Sequence, residues 1–236
     1  MSNFTGLVIA TPAFGGQVTS PYLLSMMRTV VLCCQKGITH QLHVNAGDSL
    51  ISRARALLLA EFLRTEASHL LWVDADMSWD AEDVVKLLMH DKDFVCGAYR
   101  QKREELKWNF CLRREDGSKA PYDDVRGLIQ IGGGGLGFAL VKRCVADRLV
   151  EAHPERSFTQ TLNDGTELPC WDLFGPVGVA GDAFYGEDVV FCNYWTALGG
   201  EIWLDPSIQL GHHGTAAYRA DPGTMFGAKE GKCASA

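Results

Sequence analysis

The sequence predicts an α/β fold, a mostly parallel central sheet flanked by helices, and three observations carry that expectation. From the N-terminus to about residue 97, short apolar runs with the character of strands alternate with segments of helical periodicity. One run, His69 to Val73, is apolar without interruption, as a strand covered on both faces must be. The 236 residues, 47% hydrophobic and 22% charged, suffice for one full-sized core and are too few for two ordinary domains with a linker.

The elements follow in chain order. Residues 4–10 are apolar and β-branched and stop at Thr11-Pro12-Ala13-Phe14-Gly15-Gly16, a strand running into a flexible loop. Over residues 21–36, Leu23, Leu24, Met27, Val30 and Val31 recur at helical spacing, and Gly37 stops the helix. A short strand is expected at 39–44. Asp48 or Ser49 can cap a helix to about Arg64, with Ile51, Ala54, Leu58 and Phe62 along one side. The run 69–73 is the expected middle of the sheet, ended by Asp74-Ala75-Asp76. Asp80 caps a helix to about His90, 93–97 is a strand, and 115–124 reads as a polar loop or hairpin.

Residues 136–141 form a strand after four glycines, whereas 157–182 lacks periodicity and reads as a long loop, of the kind that commonly covers active sites. Gly186-Glu187-Asp188 opens a helix whose Val190, Phe191, Tyr194, Trp195 and Leu198 make a core stripe before Gly199-Gly200. A strand at 201–204 follows. One domain is expected over residues 1–214, with a weakly patterned tail, 215–236, ordered only where it docks.

The net charge of −7 leaves no basic surplus for a phosphate backbone, which weighs against general nucleic-acid binding. No apolar run approaches the ~20 residues of a transmembrane helix. The N-terminus has neither the basic start nor the apolar length of a secretory signal, so the expected compartment is the cytoplasm. Eight scattered cysteines without a CxxC pair read as free thiols, mostly buried, as Cys96 and Cys192 in apolar runs suggest.

The strongest chemical signal is Asp74-Ala75-Asp76. In extended chain the two carboxylates project to one side, beyond the carboxyl end of a central strand, where open α/β sheets bind ligands. Two hard oxygen donors so placed suit Mg²⁺ or Mn²⁺ shared with a diphosphate. The plainer reading is that both acids solvate a turn before a helix. Thr11-Pro12, Ser52-Arg53-Ala54-Arg55, the DAD strand, Gly186-Glu187-Asp188 and Gly211-His212-His213-Gly214, in that order, resemble the GT-A-fold glycosyltransferases. The likeness spans residues 7–214; it is nearest to small bacterial and phage members and more distant to the fungal mannan-polymerase mannosyltransferases.

The resemblance implies a metal-dependent transferase that moves a sugar from a nucleotide-diphosphate donor, UDP- or GDP-linked, to the hydroxyl of a glycan or other acceptor. It implies that the Thr11-Pro12 loop holds the nucleoside and that Arg53 lies near the base or diphosphate. It assigns Asp74, Ala75 and Asp76 to ribose and metal, and His212 to the metal shell. It sets Glu187 and Asp188 against the acceptor, where an inverting enzyme keeps its base. Such a transfer needs the leaving group's charge neutralised and the acceptor's proton accepted, and Asp188 is the first choice for the second task.

Each residue has a plainer role beside this one. Acids in a helix's first turn oppose its dipole whatever the function, by ~0.3–1 kcal/mol. His213 competes with His212. Helix arginines are commonly solvated, and this applies to Arg55 as to Arg53. Tyr99, Arg100 and Lys102, after the 93–97 strand, can reach phosphates or sugar. Trp171, Phe174, Phe184 and Tyr185 can stack on sugar rings or pin the loop to the core. Gly132, Gly134 and Gly137 formally satisfy GxGxxG, but a strand follows them, not the helix a dinucleotide fingerprint requires. Two rivals remain: a sugar nucleotidyltransferase, for which Thr11 to Thr19 lacks the basic loop, and a non-catalytic nucleotide-sugar or glycan-binding module.

Overall fold

Buried strands and half-buried helices alternate as the hydrophobic pattern requires in the computed structural model, which describes residues 4–112, 120–162, 164–180, 183–214 and 216–226. In chain order the strands are β1 (Leu7–Ala13), β2 (His40–Ala46), β3 (His69–Val73), β4 (Met77–Ser78), β5 (Phe94–Gly97), β6 (Phe110–Leu112), β7 (Tyr122–Asp123) and β8 (Leu128–Gly134). They continue as β9 (Phe138–Lys142), β10 (Ser157–Thr161), β11 (Glu167–Trp171), β12 (Gly178–Ala180), β13 (Ala183–Tyr185), β14 (Ile202–Asp205), β15 (Gly211–His213) and β16 (Ala217–Arg219). The helices are α1 (Ser20–Lys36), α2 (Ile51–Leu63), α3 (Ala81–His90), α4 (Arg143–Ala152) and α5 (Glu187–Ala197).

A nine-stranded sheet in the order β2-β1-β3-β9-β5-β14-β8-β6, with β7 also on β8, forms the centre. Its strands run mostly one way, and β8 and β9 oppose the rest. This is the α/β class the sequence predicts, and β3 lies inside the sheet between β1 and β9. Alternation divides each central strand between two cores. Val8, Leu70 and Trp72 pack with Leu58, Phe62, Leu149, Phe191 and Trp195 on the side of α2, α4 and α5. Leu7, Ile9, Leu71 and Val73 pack with Tyr22, Met26, Val84 and Leu87 on the side of α1 and α3.

The boundaries differ from the expectation in several places. β1 continues through Thr11 and Pro12 to Ala13 instead of stopping at residue 10. Its ladder to β3 ends at Ala10, so Pro12 sits where only β2 is alongside, and its missing N–H costs little. An amphipathic helix ordinarily turns its apolar stripe to the core. In α1, however, Tyr22, Ser25, Met26, Thr29 and Cys33 are buried, and Leu23, Leu24, Met27 and Val31 face solvent. α4 was not anticipated; its Val145, Ala146 and Leu149 carry a three-residue apolar face in an otherwise polar decapeptide. The expected loop at 157–182 contains the hairpin β10–β11, whose Leu168 and Cys170 pack under α2 at Ala60. The chain past residue 214 adds β16 to β15 and β4 in a small second sheet; residues 227–236, the end of the expected tail, lie outside the described residues, as do 115–119 of the expected polar loop.

Every described cysteine is a free thiol, with Cys33, Cys96, Cys170 and Cys192 buried, as expected. Among the described residues no helix is long and apolar enough to cross a membrane.

Candidate active site

The parallel strands β1, β3, β5 and β14 end on one edge of the sheet, and the residues singled out by the DAD motif collect there. Extended geometry stops at Val73. The Asp74 N–H donates to the Gly137 carbonyl at 3.1 Å, and the Met77 N–H to the Asp74 carbonyl at 3.1 Å, so residues 74–77 form a turn. The alternation argument therefore does not apply, and Asp74 and Asp76 take different partners.

Asp74 belongs to Arg55. The guanidinium, only 2% exposed, donates through Nη2 to Asp74 Oδ1 at 2.7 Å and through Nε to Glu187 Oε1 at 3.4 Å. It also lies 5.4 Å from the centroid of the Trp72 ring. One buried cation thus ties α2, the end of β3 and the first turn of α5 together. Among the described residues its Nη1 has no hydrogen-bond partner. Arg53 does not enter this cluster: it points to solvent and grips Asp48 with bonds of 2.8 and 3.0 Å. Two positions apart on a helix means about 200° of rotation, so only one of the two arginines can face the sheet edge. Asp48 also accepts the Leu50 N–H at 2.9 Å, but neither it nor Ser49 caps α2, whose N-cap is Leu50 without a side-chain cap bond.

Asp76 faces the other way. Its Oδ2 is paired with Lys102, and its Oδ1, buried and without a hydrogen-bond partner, lies 3.5 Å from His212 Nε2. His212 Nδ1 is 2.9 Å from the Arg100 carbonyl, an acceptor only, so Nδ1 donates there and Nε2 is turned to Asp76. A carboxylate oxygen and an imidazole nitrogen facing each other in this way are ligand types that a divalent cation takes. Among the described residues no group of three His, Cys, Asp or Glu is arranged to enclose an ion, so a cation held by Asp76 and His212 would need ligands beyond these two. His213, on the opposite face of β15, meets Ser78 Oγ at 2.8 Å, and burial lowers its pKa. Ala75 receives the Thr19 N–H on its carbonyl at 2.9 Å, pinning the turn to the start of α1.

The remaining expected residues have definite places. Thr11 is fully buried with its hydroxyl 2.7 Å from that of Tyr22, and Pro12 lies within β1. The loop beside them is Phe14-Gly15-Gly16, with Phe14 exposed. Glu187 and Asp188 open α5, as predicted. Burial, then the neighbouring Glu187 charge, raises the Asp188 pKa above the ordinary carboxylate value. Phe174 is a core residue, stacked on Phe191 at 5.0 Å and edge-on to Trp72 at 5.7 Å. Trp171 is half-buried against the same core, while Phe184 is exposed and Tyr185 half-buried.

Tyr99 is more central than its place in the sequence suggests. It is buried, packs edge-on to His212 at 5.1 Å and accepts the Gly137 N–H on its hydroxyl at 3.2 Å. Burial, then the charges of Asp74 and Asp188, raises its pKa far above the usual phenol value. The glycine run makes room for it. A Cβ on Gly137 would stand 2.7 Å from the Tyr99 hydroxyl and 2.9 Å from Asp74 Oδ2, and one on Gly135 would overlap the same hydroxyl. That packing accounts for Gly137, the last glycine of the GxGxxG pattern, and for Gly135 beside it; the signal in the sequence is a glycine run followed by a strand.

No protein-family model matches the chain, and no curated protein sequence matches it. Among solved structures it is similar to A197 from STIV, at 19% identity and a TM-score of 0.52, over 89% of this chain and 86% of that one. This likeness concerns the fold. Weaker matches include a glycosyltransferase involved in the glycosylation of the major capsid of PBCV-1, at 11% identity over 63% of this chain and 66% of that one, TM-score 0.34. S. aureus TarS 1–349 in complex with UDP-GlcNAc is matched at 11% identity over 91% of this chain and 58% of that one, TM-score 0.39.

Proposed function

We propose that the chain is a divalent-metal-dependent glycosyltransferase of GT-A type, which moves a sugar from a nucleotide-diphosphate donor to an acceptor hydroxyl. The observation that carries this reading is the convergence of Asp74, Asp76, Glu187, Asp188 and His212 on the carboxyl edge of the sheet, with Asp76 Oδ1 facing His212 Nε2 at 3.5 Å. The arrangement fits a cation. Asp76 and His212 would hold Mn²⁺ or Mg²⁺, and such an ion supplies charge neutralisation to a departing nucleoside diphosphate.

The chain's own groups divide the rest of the work. Arg55 holds Asp74 and Glu187 in place and offsets part of the negative charge at the edge. Lys102, now paired with Asp76, is the cation free to turn to a donor phosphate. Asp188 takes the proton from the acceptor hydroxyl as that oxygen attacks the anomeric carbon, and its raised pKa makes it a better base than a solvated carboxylate. If transfer proceeds with retention, Asp188 orients the acceptor instead.

The test is a thermal-shift panel of UDP-, GDP-, CDP- and dTDP-sugars with Mn²⁺, since a ligand of the native state raises its apparent stability. One donor class should shift the melting temperature only with the metal, and Asp76→Ala should erase that shift while the fold is retained. Asp188→Asn should keep the shift and lose sugar transfer. Normal metal-dependent binding and transfer by Asp76→Ala would refute the assignment. Release of pyrophosphate from a nucleoside triphosphate and a sugar phosphate would favour the nucleotidyltransferase.

A further inference from the structure

Between β5 and β6 the chain doubles back on itself in a short arm that meets the carboxyl edge of the sheet at Asp76. Arg100 and Trp108 form an antiparallel bridge, the Gln101 N–H donates to the Lys107 carbonyl at 2.8 Å, and the Asn109 N–H donates to the Tyr99 carbonyl at 3.1 Å. Both ends of the arm are tied. Asn109 Oδ1 accepts the Tyr99 N–H at 2.7 Å, while the Arg100 guanidinium donates to the Arg103 carbonyl at 2.9 Å and lies 5.6 Å from the centroid of the Tyr218 ring.

This arm directs Lys102 onto Asp76. The ammonium pairs with Oδ2, and the stem runs past Gly214, where a Cβ would stand 3.2 Å from Lys102 Cδ. The last glycine of Gly211-His212-His213-Gly214 thereby acquires a place: the motif brings His212 to one oxygen of Asp76 and leaves room for the lysine that reaches the other. The two acids of the DAD turn are held very differently. Asp74 is locked to Arg55, which is 2% exposed, whereas the side chains of Lys102 and Asp76 are 31% and 34% exposed. An ion pair so open to solvent is weak and exchanges its partner readily. Asp76 Oδ1 has no hydrogen-bond partner among the described residues, so Lys102 offsets the carboxylate's charge without filling the space between Asp76 and His212.

We infer, on the transferase reading above, that Lys102 is a place-holder which makes the uptake of metal and donor interdependent. Paired with Asp76, its ammonium opposes a divalent ion at Asp76 and His212, because a like charge a few Å away repels it. A donor's diphosphate offers that ammonium several charged oxygens in place of one carboxylate. Lys102 then swings from Asp76 to the phosphates, and Asp76 is released to the ion. The coupling is reciprocal: whatever factor the diphosphate adds to metal affinity, the metal adds to diphosphate affinity.

Titration of the full chain with Mn²⁺ alone, the free ion followed by its paramagnetic resonance, tests this. Lys102 is exposed, so its substitution leaves the core intact. Lys102→Met should bind the ion about tenfold more tightly than the wild type, since one like charge nearby is removed. Lys102→Arg, which keeps the charge, should stay near the wild type. Adding Asp76→Ala to Lys102→Met should abolish the gain. With UDP or GDP, whichever binds, Mn²⁺ affinity should rise by a larger factor in the wild type than in Lys102→Met. A Lys102→Met chain that binds Mn²⁺ no more tightly than the wild type, while Asp76→Ala weakens both, would overturn the place-holder and leave the metal site standing. Mn²⁺ binding that is absent or indifferent to Asp76 in every chain, with and without nucleotide, would overturn both.

Discussion

Arg55 and Asp188 show how single residues acquire roles their spacing does not reveal. Ser52-Arg53-Ala54-Arg55 offers two arginines, and the outward one, Arg53, is the one the family likeness selects; the helix phase set by Ala54, Leu58 and Phe62 turns Arg55 inward instead. Removing Arg55 leaves Asp74 and Glu187 without their cation, so Arg55→Met should destabilise the fold by about 3 kcal/mol in urea titrations. Asp188 carries the opposite cost. Its pKa is raised on folding, so between its ordinary value near 3.8 and the raised one the native state binds the extra proton, and stability falls as pH rises through that window. Asp188→Asn should therefore melt higher than the wild type at pH 7, with the gap closing as pH approaches 3.8. Transfer activity should rise with pH over the same window, because the base must be ionised.

The elements were legible where periodicity and burial agree. β3, α2, α3 and α5 follow their apolar patterns closely. Sequence and structure differ where the two part: α1 has helical spacing but exposes its stripe, α4 has only three core residues, and β10 and β11 alternate over only five residues each, too short a pattern to stand out among the glycines and prolines around them. The glycines after β8 are a case in which a sequence pattern marks a place without revealing its cause. If Gly137 exists to admit Tyr99, then Gly137→Ala must displace the phenol or Asp74 and should cost about 1–3 kcal/mol in the same titrations, as overpacking does. An unchanged unfolding midpoint would show that the Tyr99 hydroxyl is not held there.

For the molecule as a whole, stability should depend on pH through a group far from the edge where the acids gather. His69, at the start of β3, has its pKa lowered to about 4 by burial and then by the Lys142 charge. The unfolded chain takes up this proton near 6.5, before the native one does, so stability is complete above that pH and is lost as pH falls towards 4. His69→Gln should flatten that part of the melting-temperature profile, and an unaltered profile would exclude the histidine as its cause.

Fold and site are thus linked by one edge of the sheet, to which Asp74, Asp76, Tyr99 and His212 are delivered by separate strands and turns. The sequence could mark the acids but not their partners, because Arg55 and Glu187 are 132 positions apart and meet only once α2 and α5 pack on the same face. Anomalous diffraction at the manganese edge, from crystals grown with Mn²⁺ and a nucleoside diphosphate, addresses the assignment most directly. One peak bonded to both Asp76 Oδ1 and His212 Nε2 is expected, with diphosphate oxygens completing the shell. Diphosphate bound at the edge with no manganese on those two atoms would contradict it.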